Sequence, residues 1–332
     1  MQHRIYLETD LNRVFTSSLG SIAAAELDVV LTHRLGAPGT DITFVEEGRS
    51  SYLRFGYDGD RSALAAELGR LCATAAAFVE HSPTSLEPLP VDDRLSFGTD
   101  LVTTQRYKGK TNERLTRLLL NAAIAVRGSE PGADWSLLDP MCGRGTTLNW
   151  ALLHGGRATG LDIDRRSLDD YATFLEQWAK GHRLPHKMQR YKKTNSESRH
   201  FDFTVAVDRP GLAAKAAPDV RTFHAPADDE SLRVGRHSML VADLPYGIQH
   251  RARHGGRAPT SVGELVERVS VRWPEQLDRD ATVALSWNVR SLAREQLVET
   301  IVAAGLEPVP TLDFAHRVDR TITRDVVVAR TA

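Results

Sequence analysis

The sequence has almost no cysteine, no long apolar run and almost no net charge, and each shortage removes a class of protein. Its two cysteines, Cys72 and Cys142, lie far apart without CxxC or Cys/His ligand spacing. A disulfide framework and a structural zinc site are therefore not expected, and no metal is implied. No stretch reaches the roughly 18 uninterrupted apolar residues of a membrane span, and Met-Gln-His-Arg-Ile-Tyr-Leu-Glu-Thr-Asp at the start holds no apolar signal core. The expectation is a soluble, cytoplasmic protein. Lys and Arg number 42 against 43 Asp and Glu, so any nucleic-acid contact must come from local basic patches and not from a global positive field. Repeats and low-complexity tracts are missing too. What remains is 332 residues, enough for one large α/β domain and a smaller companion.

The first part reads as β-α-β-β-α: a strand at Arg4 to Glu8, a helix at Ser18 to Leu31, strands at Asp41 to Glu46 and Ser51 to Tyr57 joined at Gly48, and a long amphipathic helix from Asp60 to His81. Three prolines, Pro83, Pro88 and Pro90, then mark a linker. The predicted organisation is a small N-terminal α/β domain over residues 1–82, a linker over 83–104 and a second domain over 105–332. In the second domain a helix beginning near Glu113, capped by Thr111, precedes Leu137 to Asp139, a short apolar strand. Gly143 and Gly145 follow, then a helix from Thr146, a strand at Arg157 to Ile163 and a helix at Leu168 to Trp178. Residues 181–227 read as an insertion with a strand at Phe201 to Val207. Strands at Ser238 to Ala242, Thr282 to Trp287 and Asp325 to Ala329, with a helix at Ala293 to Ala304, complete a parallel, doubly wound sheet.

The glycine loop between Asp139 and Thr146 lets a ligand approach the backbone closely, and the helix N-terminus behind it favours an anionic group. Asp162 follows Gly143 by 19 residues, one strand-helix-strand unit, so both acidic strand ends reach the same carboxyl edge. A carboxylate there can accept from both hydroxyls of a ribose. A dinucleotide fingerprint wants a small residue where Leu148 stands, so S-adenosylmethionine fits better: the adenosine at Asp162, the amino-acid end at Asp139 and Thr146. Asp243-Leu244-Pro245-Tyr246 after a later strand then sets the reaction. An exocyclic amine shares its lone pair with the ring, and a carboxylate with a free carbonyl localises it by accepting its hydrogens. Asp243 and Leu244 supply these, Pro245 fixes the loop, and Tyr246 offers a face for stacking a flipped base.

Asp139-Pro140-Met141-Cys142-Gly143-Arg144-Gly145-Thr146 with Asp243-Leu244-Pro245-Tyr246-Gly247 resembles the class I S-adenosylmethionine-dependent methyltransferases that modify exocyclic amines. Tyr107-Lys108-Gly109-Lys110-Thr111-Asn112-Glu113-Arg114 is similar to the THUMP-associated tRNA and rRNA guanosine N2-methyltransferases. The resemblance implies a Rossmann-like, doubly wound methyltransferase sheet, with the N-terminal α/β domain either ferredoxin-like or a reduced THUMP-like unit. It implies cofactor contacts from Asn112, Asp139, Pro140, Cys142, Gly143, Gly145, Thr146, Asp162 and Asp228, catalytic roles for Asp243, Leu244, Pro245 and Tyr246, and an RNA substrate, tRNA first. Leu244 departs from the usual Asp-Pro-Pro-Tyr, and about 85 N-terminal residues are short for the usual pair of RNA-presenting units. The rivals are a DNA adenine-N6 or cytosine-N4 methyltransferase, a small-molecule N-methyltransferase, and a non-catalytic cofactor-binding RNA scaffold.

Weaker signals have plain alternatives. The basic run Lys180 to Lys193 suits phosphate contact or a solvated face, and His250 to Arg257 suits a substrate clamp or an exposed loop. Asp228 or Asp229 is placed to meet the adenine amine or to lie on the surface. Cys142 reads as a packing residue, since nothing nearby would lower its pKa, and Trp150 and Trp287 read as core.

Overall fold

A computed structural model describes residues 1–8, 13–107, 109–129, 132, 135–191, 198–213, 217–245, 261–311, 313–318 and 320–331. The first unit runs β1 (Gln2–Leu7), α1 (Arg13–Val29) continuing through a π turn at Val30–Arg34, β2 (Thr40–Glu47), β3 (Ser50–Gly56), α2 (Arg61–Leu68), β4 (Thr74–Ser82) and β5 (Ser85–Leu89). Its sheet is antiparallel throughout, in the order β2-β3-β1-β4-β5. Up to β4 this is the ferredoxin-like β-α-β-β-α-β arrangement, to which β5 adds an edge.

Two sequence expectations change here. The helix expected over Asp60 to His81 stops at Leu68, where Gly69 approaches the Asp92 backbone so closely that a Cβ would overlap it. Thr74–Ser82 is a strand between β1 and β5, burying Ala77 and Val79 and turning Ala76 and Phe78 the other way. The leucines set the helical period, but alanine is neutral enough for the unpaired edge of β1 to take the segment as a strand. The first part of the expected linker is β5, and Pro88 is tolerated because an edge strand has donors to spare.

The second unit opens with α3 (Asp100–Thr103) and α4 (Glu113–Arg127), then alternates β6 (Ser136–Asp139), α5 (Thr146–Leu153), β7 (Arg157–Asp162) and α6 (Arg165–Gly181). A hairpin of β8 (His186–Arg190) and β9 (Arg199–Val205) leads through α7 (Arg209–Ala213) to β10 (Asp219–His224). The chain continues as β11 (His237–Asp243), α8 (Val262–Ser270), α9 (Trp273–Gln276), β12 (Leu277–Asn288), α10 (Arg294–Ala303), β13 (Leu306–Pro308), β14 (His316–Arg317) and β15 (Thr323–Thr331). The main path of the sheet is β13-β15-β12-β11-β6-β7-β10-β9-β8. β10, β7, β6, β11 and β12 are parallel, and β15 runs antiparallel between β12 and β13. This is a Rossmann-like, doubly wound sheet with one antiparallel strand inserted near its edge. Its order reverses between β6 and β11, which puts a ligand crevice at the carboxyl ends of those strands.

Strand alternation divides the core. Leu137, Met239, Val241, Ala284 and Val328 face one layer; Leu138, Leu240, Ala242, Val283, Leu285 and Val327 face the other. The first layer is continuous through α4 into the N-terminal unit, joining Leu118 and Leu119 to Leu27 and Leu31. Polar groups seal this junction: Asn121 Nδ2 donates to Glu26 (2.7 Å) and to the Arg70 carbonyl (2.6 Å), and Glu26 also accepts from the Cys72 N–H (3.0 Å). Burial raises the Glu26 carboxyl above its usual range. Among the described residues no helix is long and apolar enough to cross a membrane.

Candidate active site

β6 delivers Asp139 to the carboxyl edge, and the chain must then turn sharply to start α5. Gly143 and Gly145 take φ of +53° and +78°, the left-handed region that glycine enters without a Cβ penalty. Gly145 is doubly constrained, because a Cβ there would overlap the ring of Tyr171. That ring is buried, and its hydroxyl donates to Asn149 Oδ1 (2.8 Å), tying α6 to α5. No side chain caps α5, so its first N–H groups have no side-chain acceptor at Gly145. Pro140 is buried at the start of the loop. The Cys142 N–H donates to the Leu161 carbonyl (2.9 Å), and its side chain packs with Leu148 over Gly160, where a Cβ would not fit. Burial pushes the Cys142 thiol well up, as a packing role requires.

Three strand-end carboxylates meet around this loop. Asp139 is buried and accepts from the Met141 N–H (3.0 Å). Desolvation pushes its carboxyl up to about 7, with Asp162 and Asp243 adding repulsion and the bonds from Met141 and Thr147 pulling the other way. Asp162, at the end of β7, accepts from the Gly143 N–H on one oxygen and the Asp164 N–H on the other, both at 2.7 Å. It thereby locks the glycine loop to the second strand, a role its spacing alone did not reveal. The remaining lone pairs of a carboxylate still permit a ligand contact.

Asp243 ends β11 across the reversal point. Ser286, its register partner on β12, donates to Oδ1; Thr111 donates to Oδ2 at 2.6 Å; and an Arg324 guanidinium nitrogen from β15 lies 3.6 Å from Oδ2. Burial lowers the Arg324 pKa, and Asp243 opposes that shift. Leu244 is buried with its N–H on the Ser286 carbonyl (2.8 Å), and Pro245 is half-buried. Tyr246, Gly247 and the basic loop 250–257 lie outside the described residues, as do Lys192 and Lys193.

The helix cap expected at Thr111 is Asn112, whose Oδ1 accepts from the N–H groups of Arg114 (2.9 Å) and Leu115 (3.3 Å). This frees Thr111 to turn toward Asp243, and it engages Asn112 in helix capping, beside the cofactor contact proposed for it. Asp228 pairs with Arg268 of α8. The basic run after α6 is partly strand β8, with Arg190 on Glu176 (2.8 Å). Trp150 and Trp287 are core, each donating to a main-chain carbonyl at 2.9 Å. The sequence reading did not single out Ser286 or Arg324, and it gave Tyr107 a place in a motif but no contact. The hydroxyl of Tyr107 lies 3.4 Å from that of Thr146, and the Arg144 guanidinium sits 4.7 Å over its ring. Ser286 is shown by the sheet register, which pairs it with Asp243, and Arg324 only by its side chain reaching across from β15.

No protein-family model matches the chain, and no curated protein matches it in sequence. Among solved structures, it is similar to TrmN from Thermus thermophilus at 15% identity and a TM-score of 0.45, covering 88% of this chain and 59% of that one. It is also similar to 1,6-didemethyltoxoflavin-N1-methyltransferase from Burkholderia thailandensis, solved with S-adenosylhomocysteine (16% identity, TM-score 0.40, 67% and 80% of the two chains). A third is ribosomal protein L11 methylase from Lactobacillus delbrueckii subsp. bulgaricus (13% identity, TM-score 0.38, 66% and 80%). The chain thus spans about three fifths of the length of the first of these. Likeness at this level carries nothing about activity.

Proposed function

We propose that this chain is a methyltransferase that uses S-adenosylmethionine and acts on an exocyclic amino group of an RNA base, guanosine N2 in tRNA first. The observation that carries the reading is the meeting of Asp139 and Asp243 across the point where the strand order reverses, one buried beside the glycine loop and the other held by Thr111, Ser286 and Arg324. A carboxyl raised first by burial and further by its acidic neighbours suits a ligand that brings positive charge, and this donor carries an ammonium and a sulfonium.

The cofactor, when bound, supplies an electrophilic methyl group. The turn at Gly143 and Gly145 admits it, the N–H groups at Thr146 bind its carboxylate, Asp139 holds its amino end, and Asp162 meets the ribose. Asp243 and the Leu244 carbonyl accept the two N–H bonds of the target amine, which localises its lone pair and aims it at the donor. Pro245 is assigned to fixing the loop, and Tyr246, from its place in the sequence alone, to stacking on the base. The ferredoxin-like unit, joined to α4 by a shared core, is assigned to presenting the RNA.

Mass spectrometry of nucleosides from tRNA and rRNA, with and without the gene, tests this. Loss of an N2-methylguanosine supports it. Loss of a methyladenine corrects the base, and an unchanged RNA profile with a changed DNA profile transfers the activity to DNA.

A further inference from the structure

Three of the groups that hold Asp243 differ in what carries them. Ser286 is the register partner of Asp243 on β12, and Arg324 comes from β15, so both contacts are built with the sheet. Thr111 reaches in from the segment before α4. That segment is pinned at Lys110, whose ammonium donates to the Val102 carbonyl (2.6 Å) and pairs with Glu113 (3.2 Å), and at Asn112, the α4 cap. Its Tyr107 lies against Thr146 at the head of α5 and under Arg144 of the glycine loop, and Arg144 is itself fixed on Asp170 at 2.7 Å. One short segment therefore touches both halves of the site.

We infer that Thr111 is a positioning residue that couples the glycine loop to the catalytic carboxylate, holding Asp243 Oδ2 from the same segment whose Tyr107 rests on Thr146. A ligand settling at the α5 N-terminus fixes Tyr107, Tyr107 fixes the segment, and Thr111 aims the carboxylate for the amine. The inference rests on the methyl-transfer reading above. It makes donor and substrate binding cooperative, by a coupling that must act equally in both directions.

The test uses the full chain with Thr111→Val, which keeps shape and loses the donor, and Thr111→Ser, which keeps it. Bulk tRNA and S-adenosylhomocysteine are the probes. Calorimetry gives the S-adenosylhomocysteine Kd, fluorescence anisotropy the tRNA affinity with and without it, and methyl incorporation kcat and KM. With Thr111→Val, kcat falls about tenfold or more, as for a lost hydrogen bond to a charged group, while the S-adenosylhomocysteine Kd stays within about twofold. The strengthening of tRNA binding by S-adenosylhomocysteine disappears, and Thr111→Ser restores both. Wild-type kcat and coupling in Thr111→Val, a loss that Thr111→Ser does not repair, or a wild-type chain whose tRNA affinity ignores S-adenosylhomocysteine would each overturn the inference alone. Absence of methyl transfer by the wild-type chain removes the methyl-transfer reading with it.

Discussion

Replacing Asp139 with asparagine separates stability from ligand binding. A carboxyl raised from its ordinary 3.8 to about 7 costs the folded state about 1.4 kcal/mol per pKa unit, or about 4 kcal/mol once fully ionised. The sign follows from the two states. Below about pH 4 both hold the proton and nothing is lost. As pH rises toward 7 the unfolded chain ionises first, so stability falls, and above 7 the full cost is present. The asparagine of Asp139→Asn would escape that cost, but it places an amide donor where no acceptor was provided, worth about 1–3 kcal/mol in the other direction. The asparagine variant should therefore gain about 2–3 kcal/mol relative to wild type between pH 5 and pH 8. Urea midpoints of both proteins at the two pH values measure this. The same variant should bind S-adenosylhomocysteine at least about tenfold more weakly at pH 8, because the ammonium loses its counter-charge. Wild-type affinity should itself fall between pH 8 and pH 5 as Asp139 takes a proton. Parallel stability curves for the two proteins would refute the raised carboxyl, and undiminished affinity would refute its ligand role.

The remaining predictions concern single features. Asp243→Ala should lower turnover about a hundredfold or more while S-adenosylhomocysteine affinity in calorimetry stays nearly unchanged; retained activity would sink the assignment. Asp162→Ala should weaken that affinity about tenfold or more and also lower the melting temperature, since two backbone N–H groups lose their acceptor; unaltered binding would remove its ribose role. Gly145→Ala should cost about 1–2 kcal/mol for the left-handed backbone, and more for overlap with Tyr171, read as a lower urea midpoint. Asn121→Leu should destabilise the chain by about 1–3 kcal/mol, because buried Glu26 keeps the Cys72 N–H but loses its amide donor, as does the Arg70 carbonyl; an unchanged midpoint would show that junction to be indifferent.

The second unit is legible in the sequence because local pattern and global fold agree there. Apolar strands ending in Asp139, Asp162 and Asp243, with glycines where the backbone must turn left-handed, are local signals, and parallel sheets place such ends on one edge. The segment Thr74–Ser82 misleads because its leucine-rich approach and its alanines favour a helix locally, whereas pairing with β1 and β5 is decided by residues far away in sequence. The proline-rich stretch misleads for a similar reason: its prolines exclude a helix or a central strand, but not an edge. Thr111 and Asn112 are both capping residues, Asn the better of the two, and the structure gives the cap to Asn112 and turns Thr111 to Asp243.

By itself, then, the sequence determined the strand-loop-helix at Asp139 to Thr146, the spacing to Asp162 and the acidic strand end at Asp243. Each is short-range chemistry written in consecutive residues. Only the tertiary structure decided that Asp139 is pushed up to about 7, that Asp162 clamps the glycine loop, and that Asp243 is held by Ser286, Arg324 and Thr111. Desolvation and charge proximity depend on which residues fold over one another, and groups 132 positions apart, as Thr111 and Asp243 are, meet only when the sheet closes around them.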